Sequence, residues 1–262
     1  GPPIRWVKAF AIQKALSSHE AVVYLDYDIT VRPDCLGAAR LMQDLFSSHT
    51  SLHTPHIVVR DSAPGTDCMN TGFIAMRKTE ISKIFLKLWR SKMGWPGALH
   101  GDQGPLAETI LQLLDMERRA EQIQQGVRLA ETYGYESVCL PMLFPTWDGV
   151  SSWRQYCDCW QQVLLLQVGP FQNRTSRFIK FLDPRKIDVN FVPQHVYDLQ
   201  GMRLLPWRLN KQVSRLGSNS SILLPEITPL LVHWAGMENR TKLMRDYLVK
   251  RFGVKPPWFT SK

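Results

Sequence analysis

Apolar positions follow two kinds of spacing along the first half of the chain. Helical spacing, with apolar side chains three and four residues apart, recurs in four segments: residues 4–18, 34–47, from 79 or 80 to 89, and 103–118. Short continuous apolar runs, typical of buried strands, lie between them at residues 21–25, 56–59 and 72–76. The run 21–25 suits a buried parallel strand. Strands that alternate with helices predict an α/β layer fold.

The second half of the chain, from about residue 140, differs in composition and shows less regular apolar spacing. Eight prolines interrupt residues 141–229, and six tryptophans follow residue 140. This composition predicts long loops packed over a sheet, where binding sites usually lie. No clean boundary separates the halves, so we expect a single domain over 1–262, with a 1–140 part and a loop-rich 141–262 part.

Charge is distributed unevenly between the two halves. Residues 1–150 carry 15 basic and 16 acidic side chains, whereas residues 151–262 carry 17 and 7. A uniformly basic nucleic-acid-binding protein would not divide in this way, and no nucleic-acid-binding motif is present. The pattern indicates a near-neutral scaffold followed by a basic segment that faces phosphates or an anionic surface.

Cysteines and glycosylation sequons indicate a lumenal or secreted protein. The five cysteines form no C-x-x-C pair, and Cys157 and Cys159 are spaced too tightly for a usual zinc site. Their odd count leaves one thiol free or paired outside this chain. Three N-x-S/T sequons begin at Asn173, Asn219 and Asn239. The alternative is a cytosolic protein with inert buried thiols.

Two carboxylates at the end of the first apolar run are the most informative residues. Asp26 and Asp28 follow residues 21–25 directly, and ligands of open α/β sheets sit beyond the carboxyl ends of strands. Two acids this close favour a shared cation, and carboxylate oxygens suit Mg²⁺ or Mn²⁺. Because such metals share their shell with substrate phosphates, a phosphorylated ligand is implied. The alternative is one turn-capping Asp and one solvated Asp.

Two enzyme families place a D-x-D after an apolar strand. Asp26-Tyr27-Asp28-Ile29-Thr30 fits the motif of haloacid-dehalogenase-type phosphatases, which also require a late G-D-x-x-x-D. Residues 101–106 begin with Gly101-Asp102 but lack the second acid. The other family is the GT-A nucleotide-sugar glycosyltransferases.

Four further stretches stand in order around the D-x-D: Trp6-Val7-Lys8, Asn70-Thr71-Gly72, Asp102-Gln103 and His233-Trp234-Ala235-Gly236. Together they resemble the W-x-K, N-x-G, D-Q and H-x-x-G of metal-dependent GT-A glycosyltransferases, including glycogenin-like enzymes and galactosyl- and xylosyltransferases. The resemblance covers residues 6–236. It implies one catalytic domain over 1–262, whose 1–140 part binds donor and metal and whose 141–262 part faces the acceptor. It implies a Rossmann-like GT-A fold with a mixed, mostly parallel sheet flanked by helices. In that family the uridine-binding strand precedes the W-x-K, so the first strands are expected to be missing here.

The resemblance also implies roles for individual residues. The expected ligands of Mn²⁺, or Mg²⁺, are Asp26, Asp28 and His233. The expected contacts to the nucleotide-sugar donor are Lys8, Asn70, Gly72, His233 and Gly236. The expected catalytic residues, lining the reacting sugar, are Asp102 and Gln103. The implied reaction is transfer of a hexose or pentose from a UDP-sugar, with retention, to a glycan or glycoprotein.

Each residue also has a plainer interpretation that the sequence leaves open. Asn70 and Gly72 suit an ordinary turn, Asp102 a helix N-cap, and His233 a core position. Lys8 suits a solvated helix face. A catalytically inactive sugar-binding module remains an alternative to the transferase, as does the phosphatase.

The expected location is the ER or Golgi lumen, as part of a type II membrane protein. No apolar run reaches the ~18 residues of a membrane-spanning helix. The chain starts at Gly1-Pro2-Pro3, without an initiator Met or signal-peptide pattern. We therefore expect any anchor to lie outside this chain.

Overall fold

Helices and strands form at most of the segments that the apolar spacing predicts, but in the described residues three helices follow one another between the fourth and the fifth strand instead of alternating with strands. The structure is a computed structural model that describes residues 6–27, 29–31, 42–43, 45–46, 54–62, 68–69, 71–93, 95, 102–124, 135–142, 150–171, 173–174, 176–182 and 231–233. The chain divides into two units, one of residues 1–25 with 42–183 and one of residues 26–41 with 184–262. None of the described helices is both long enough and apolar enough to cross a membrane.

Ten regular elements can be bounded. The helices are α1 (Val7–Ser18), α2 (Glu80–Ser91), α3 (Gln103–Gln124) and α4 (Val150–Val168). The strands are β1 (Ala21–Leu25), β2 (Ile29–Val31), β3 (Ile57–Arg60), β4 (Phe73–Arg77), β5 (Ile179–Leu182) and β6 (Leu231–His233). A short 3-10 turn also covers Leu140–Met142. The α/β class predicted from the sequence is confirmed.

The sheet of the first unit has the order β1-β4-β3-β5. β4 runs antiparallel to both β1 and β3, and only β3 and β5 are parallel. For the described strands the prediction of a mostly parallel sheet is therefore wrong. The prediction that β1 is a buried parallel strand is also wrong, because β1 is half-buried and pairs Leu25 with Phe73 in antiparallel register. An apolar run indicates that a strand packs on something, but it carries no information about the direction of its neighbour.

Helix α2 begins where the sequence predicts. The hydroxyl of Thr79 accepts a hydrogen bond from the backbone N–H of Ser82 at 3.2 Å, which caps the helix. Phe85, Leu86 and Trp89 then bury one face. Helix α3 runs to Gln124, beyond the predicted end at 118, because residues 119–124 are mostly strong helix formers.

Helix α4 corrects the prediction of long loops after residue 140. It buries Trp153, Tyr156, Cys157, Trp160 and Leu164, which are spaced three, four and seven residues apart. The prolines that suggested loops, Pro145 and Pro170, lie outside the helix. The Trp160 indole N–H donates to the carbonyl of Ala107 at 3.1 Å, so α4 packs directly on α3.

Two disulfides fasten α4 to the rest of the first unit. Cys68 pairs with Cys157, and Cys139 pairs with Cys159. The tight Cys157-Asp158-Cys159 stretch thus supplies two separate bridges. Cys35 lies outside the described residues.

The second unit contains the antiparallel pair β2–β6. Ile29 lies opposite His233, and Val31 lies opposite Leu231. The backbone N–H of Ile29 donates to the carbonyl of Asp26 at 3.0 Å, a hydrogen bond of the turn type at the start of β2. Of the helix predicted over 34–47, residues 42–43 and 45–46 are helical, and the remainder lies outside the described residues.

Candidate functional site

For five of the site residues predicted from the sequence, the structure describes both the backbone and the surroundings. Those whose surroundings are described are Lys8, Asp26, Gly72, Asp102 and Gln103. Those outside the described residues are Asn70, Asp28 and Gly236, together with the side chain of His233. The roles assigned to the latter stay predictions.

Lys8 lies inside the first unit rather than on a solvated helix face. It is 8% exposed and shares the buried side of α1 with Ile12 and Leu16. Its ammonium donates to the hydroxyl of Thr71 at 2.7 Å and lies 2.8 Å from Asp102 Oδ2. The same nitrogen lies 5.6 Å from the ring centroid of Tyr24.

This ammonium joins three of the motifs that the sequence singles out. Lys8 belongs to the W-x-K, Thr71 to the N-T-G stretch, and Asp102 to the D-Q pair. Trp6 of the first motif contacts Trp89, with ring centroids 6.1 Å apart, which fixes the start of α1 against α2. The Trp89 indole N–H in turn donates to the carbonyl of Asp102 at 3.4 Å. Segments distant in sequence thus converge on one buried cluster.

The start of α3 presents two buried oxygen acceptors. The Asp102 carbonyl accepts the helical hydrogen bond from Leu106 N–H at 3.1 Å, and its side chain extends toward Lys8. Asp102 Oδ2 is buried, and its contact with Lys8 is an ion pair without the direction of a hydrogen bond. Gln103 Oε1 is also buried and accepts no hydrogen bond from the described residues. Buried acceptors are normally satisfied, so Gln103 Oε1 is suited to a ligand that donates a hydrogen bond, whereas Asp102 Oδ2 is already paired with Lys8.

Two contributors to the cluster were not selected from the sequence. Thr71 stands between the two residues chosen in the N-T-G stretch, and Tyr24 lies two positions before Asp26. Gly72 is buried in the turn that precedes β4. The signal for Thr71 was its place inside a chosen motif, whereas Tyr24 lies in the continuous apolar run of β1, which carries no signal for this contact.

The predicted metal ligands belong to the second unit. Asp26 is half-buried directly after β1, at the start of the turn to β2. Because Ile29 pairs with His233, the backbone brings the stretch that carries Asp28 beside the strand that ends at His233. Among the described side chains, no three His, Cys, Asp or Glu lie close enough to share a metal ion. Asp28 and the His233 imidazole fall outside that set.

A second polar cluster lies further along α3 and surrounds Glu108. This carboxyl group accepts hydrogen bonds from the hydroxyls of Ser137 at 2.7 Å, Tyr156 at 2.8 Å and Tyr135 at 3.1 Å. Burial raises the pKa of Glu108, although the three donors and Lys92 oppose that rise. Burial and the neighbouring carboxylate also raise the pKa of both tyrosines.

Lys92 completes this second cluster at the end of α2. Its ammonium donates to Gln112 Oε1 at 2.9 Å and to the Leu88 carbonyl at 3.0 Å. Burial lowers the pKa of Lys92 from 10.5 to about 8, against the opposing charge of Glu108. Nothing in the local sequence indicates this cluster, because Glu108 and Lys92 read as ordinary helix-surface residues.

No family model, no curated protein and no solved structure matches this chain.

Proposed function

We propose that the protein is a metal-dependent glycosyltransferase of the GT-A type. It moves a hexose or pentose from a nucleotide diphosphate donor, a UDP-sugar, to a glycan or glycoprotein, with retention. The observation that carries the proposal is the buried acceptor Gln103 Oε1, which accepts no hydrogen bond from the described residues and follows directly after Asp102, the partner of Lys8. Sugar hydroxyls are donors of the kind that such an acceptor would satisfy.

Lys8 supports this role by holding Asp102 in place. Its ammonium lies 2.8 Å from the Asp102 carboxyl group at the start of α3 and donates a hydrogen bond to the hydroxyl of Thr71. An Asp held in this way is a fixed acceptor, whose orientation costs nothing at the moment of reaction. Asp102 and Gln103 would orient the transferred sugar, while Asn70, Gly72 and Gly236 are proposed to contact the donor.

The register of β2 and β6 supports a metal site. Asp26, Asp28 and His233 would hold Mn²⁺ or Mg²⁺, and their carboxylate and imidazole donors suit such ions. The pairing of Ile29 with His233 supports this ligand set, because it places the strand that begins directly after the D-x-D beside the strand that ends at His233. The metal would supply charge compensation for the departing nucleotide diphosphate.

The two disulfides support a location in the ER or Golgi lumen. Cys68–Cys157 and Cys139–Cys159 would persist in an oxidising compartment and would be rare in the cytosol. Glycan and glycoprotein acceptors are consistent with that compartment.

The test is Mn²⁺-dependent hydrolysis and binding of a panel of nucleotide sugars by the full-length protein. We expect turnover of one UDP-sugar, and Gln103→Leu should reduce it about tenfold to hundredfold through loss of a sugar hydrogen bond. Gln162→Leu is the matched control, since Gln162 is exposed on α4 and should leave turnover unchanged. Asp26→Ala should lower the affinity for Mn²⁺.

Three other results would redirect the proposal. If no nucleotide sugar binds to the folded protein, the transferase is wrong. Sugar binding without turnover would identify an inactive sugar-binding module. Hydrolysis of p-nitrophenyl phosphate that Asp26→Ala abolishes would identify a phosphatase.

A further inference from the structure

A cavity of about 290 Å³ lies between the end of α2 and the middle of α3. Its wall is mostly polar, and Trp95 and Leu140 are its apolar side chains. The polar lining residues include Ser91, Lys92, Glu108, Gln112 and Tyr135. Ser91 is exposed, so the cavity reaches the surface at the end of α2. It is separate from the Lys8–Asp102 cluster, because Glu108 lies six positions after Asp102, about 9 Å along the helix axis.

The cavity wall offers both donors and acceptors of hydrogen bonds. An ammonium has three N–H donors, and the described contacts of Lys92 use two of them, on Leu88 and Gln112. Gln112 accepts from Lys92 through its oxygen, which leaves its NH₂ group as a donor. The hydroxyls of Ser91 and Tyr135 donate to Leu88 and Glu108 and keep lone pairs that can accept.

The charges in the wall offset one another. Lys92 brings one cation and Glu108 one carboxyl group, and the two interact electrostatically. An anionic ligand would gain from Lys92 but would face the carboxylate of Glu108, and a cationic ligand would meet the reverse. This balance favours an uncharged ligand that both donates and accepts.

The volume of the cavity and the indole in its wall restrict the class of ligand further. At about 290 Å³ the cavity is at the lower end of small-molecule sites and holds one small ring. Trp95 is half-buried and presents an indole beside the ammonium of Lys92, 5.9 Å from its ring centroid. A ring with an apolar C–H face and several hydroxyls would match both the indole and the polar wall.

We infer that this cavity is a binding site for one neutral sugar ring, a hexose or a pentose. The ring's hydroxyls accept from Lys92 and Gln112 and donate to Ser91 and Tyr135, while its C–H face packs on Trp95. Its use as the acceptor subsite rests on the proposed transferase function; the sugar binding itself does not.

The experiment is a titration of the full-length protein with neutral methyl glycosides, followed by ligand-observed NMR and calorimetry. We expect a millimolar dissociation constant for at least one glycoside, which corresponds to about 4 kcal/mol of binding. Gln112→Leu should weaken it at least about tenfold, the effect of one lost hydrogen bond with its unsatisfied partner. Trp95→Leu should weaken it independently. Gln162→Leu, on the exposed side of α4, is the matched control and should bind like the parent.

Several outcomes decide the matter. Equal binding of a methyl glycoside and of an oligosaccharide ending in that sugar supports a single-ring site, and tighter binding of the oligosaccharide assigns the site to the end of a glycan. No binding of any neutral sugar to the folded parent protein overturns the inference, as does unchanged binding in both Gln112→Leu and Trp95→Leu. Tighter binding of glucuronic acid than of glucose overturns the neutral class. Nucleotide-sugar hydrolysis is measured without acceptor, so its failure leaves this result standing.

Discussion

Lys8 Nζ lies 2.8 Å from Asp102 Oδ2, and both residues are less than a tenth exposed. The pair connects α1 to the start of α3, two segments that lie far apart in the sequence. A buried charge without its partner is far more costly than the pair itself contributes. The two side chains are therefore coupled, and each makes the other tolerable in the interior.

Replacing Lys8 by Met should destabilise the protein strongly. The substitution leaves Asp102 as a buried carboxylate without its cation, and loss of one partner from a buried pair costs about 3–5 kcal/mol. Urea denaturation followed by circular dichroism measures the free energy of unfolding. Lys14→Met is the matched control, since Lys14 is exposed on the same helix and should change stability by less than about 0.5 kcal/mol.

A double variant separates pairing from packing in this result. Lys8→Met with Asp102→Leu removes both charges, so it should recover part of the loss seen in Lys8→Met alone. If Lys8→Met and Lys14→Met unfold at the same urea concentration, the buried ion pair contributes nothing and our interpretation of the cluster fails.

The disulfides should be found as Cys68–Cys157 and Cys139–Cys159. Closing the longer loop, which spans 89 positions, should stabilise the chain by about 3–5 kcal/mol through restriction of the unfolded state. Cys68→Ser with Cys157→Ser should therefore lower the melting temperature. Mass spectrometry of non-reduced peptides checks the pairing, and any linkage between Cys157 and Cys159 would contradict it.

Local patterns in the sequence were sufficient for most helices and strands. The spacing around Phe85 and Trp89 predicts α2, and the capping preference of Thr79 predicts where it begins. Helix α4 carries an equally regular pattern from Trp153 to Leu164, although prolines are frequent in the sequence around it. Proline disfavours the interior of a helix, but two prolines far apart in sequence do not prevent the residues between them from forming one.

Partners that lie far apart in sequence could not be predicted in the same way. The burial of Lys8 depends on Asp102 and Thr71, so its own helix pattern does not reveal it. The antiparallel pairing of β1 depends on β4, which an apolar run does not specify. Glu108 is buried among Tyr135, Ser137 and Tyr156, all of which come from segments after α3 in the sequence.

Asn173 should carry an N-linked glycan when the protein is made in a secretory pathway. It is exposed in the segment after α4, where Gly169 adopts a φ of 98°. The neighbouring Arg174 is buried in an ion pair with Asp61, which holds the segment at the surface with Asn173 outward. Asn173→Gln should remove one glycan's mass in gel electrophoresis and mass spectrometry. An unmodified Asn173 in secreted protein would contradict this prediction.

Lys92 should make stability depend on pH in the alkaline range. Burial lowers its pKa in the folded protein from 10.5 to about 8, so between these values the unfolded chain binds a proton that the folded chain lacks. The free energy of unfolding therefore rises with pH through this window by linkage, and the cost of the buried charge is largest below it. Lys92→Met removes the titration, so the parent protein should gain stability relative to this variant as pH increases.

The measurement is urea denaturation of the parent protein and Lys92→Met at several pH values between 8 and 10.5. The hydrogen bonds of Lys92 to Leu88 and Gln112 contribute an offset that depends little on pH, so the slope of the difference is the informative quantity. Lys83→Met provides the matched comparison, because Lys83 is exposed on the same helix and should leave the slope of the parent unchanged. A flat difference between the parent and Lys92→Met would mean that Lys92 titrates near its ordinary pKa and that burial does not penalise its charge, which would contradict this prediction.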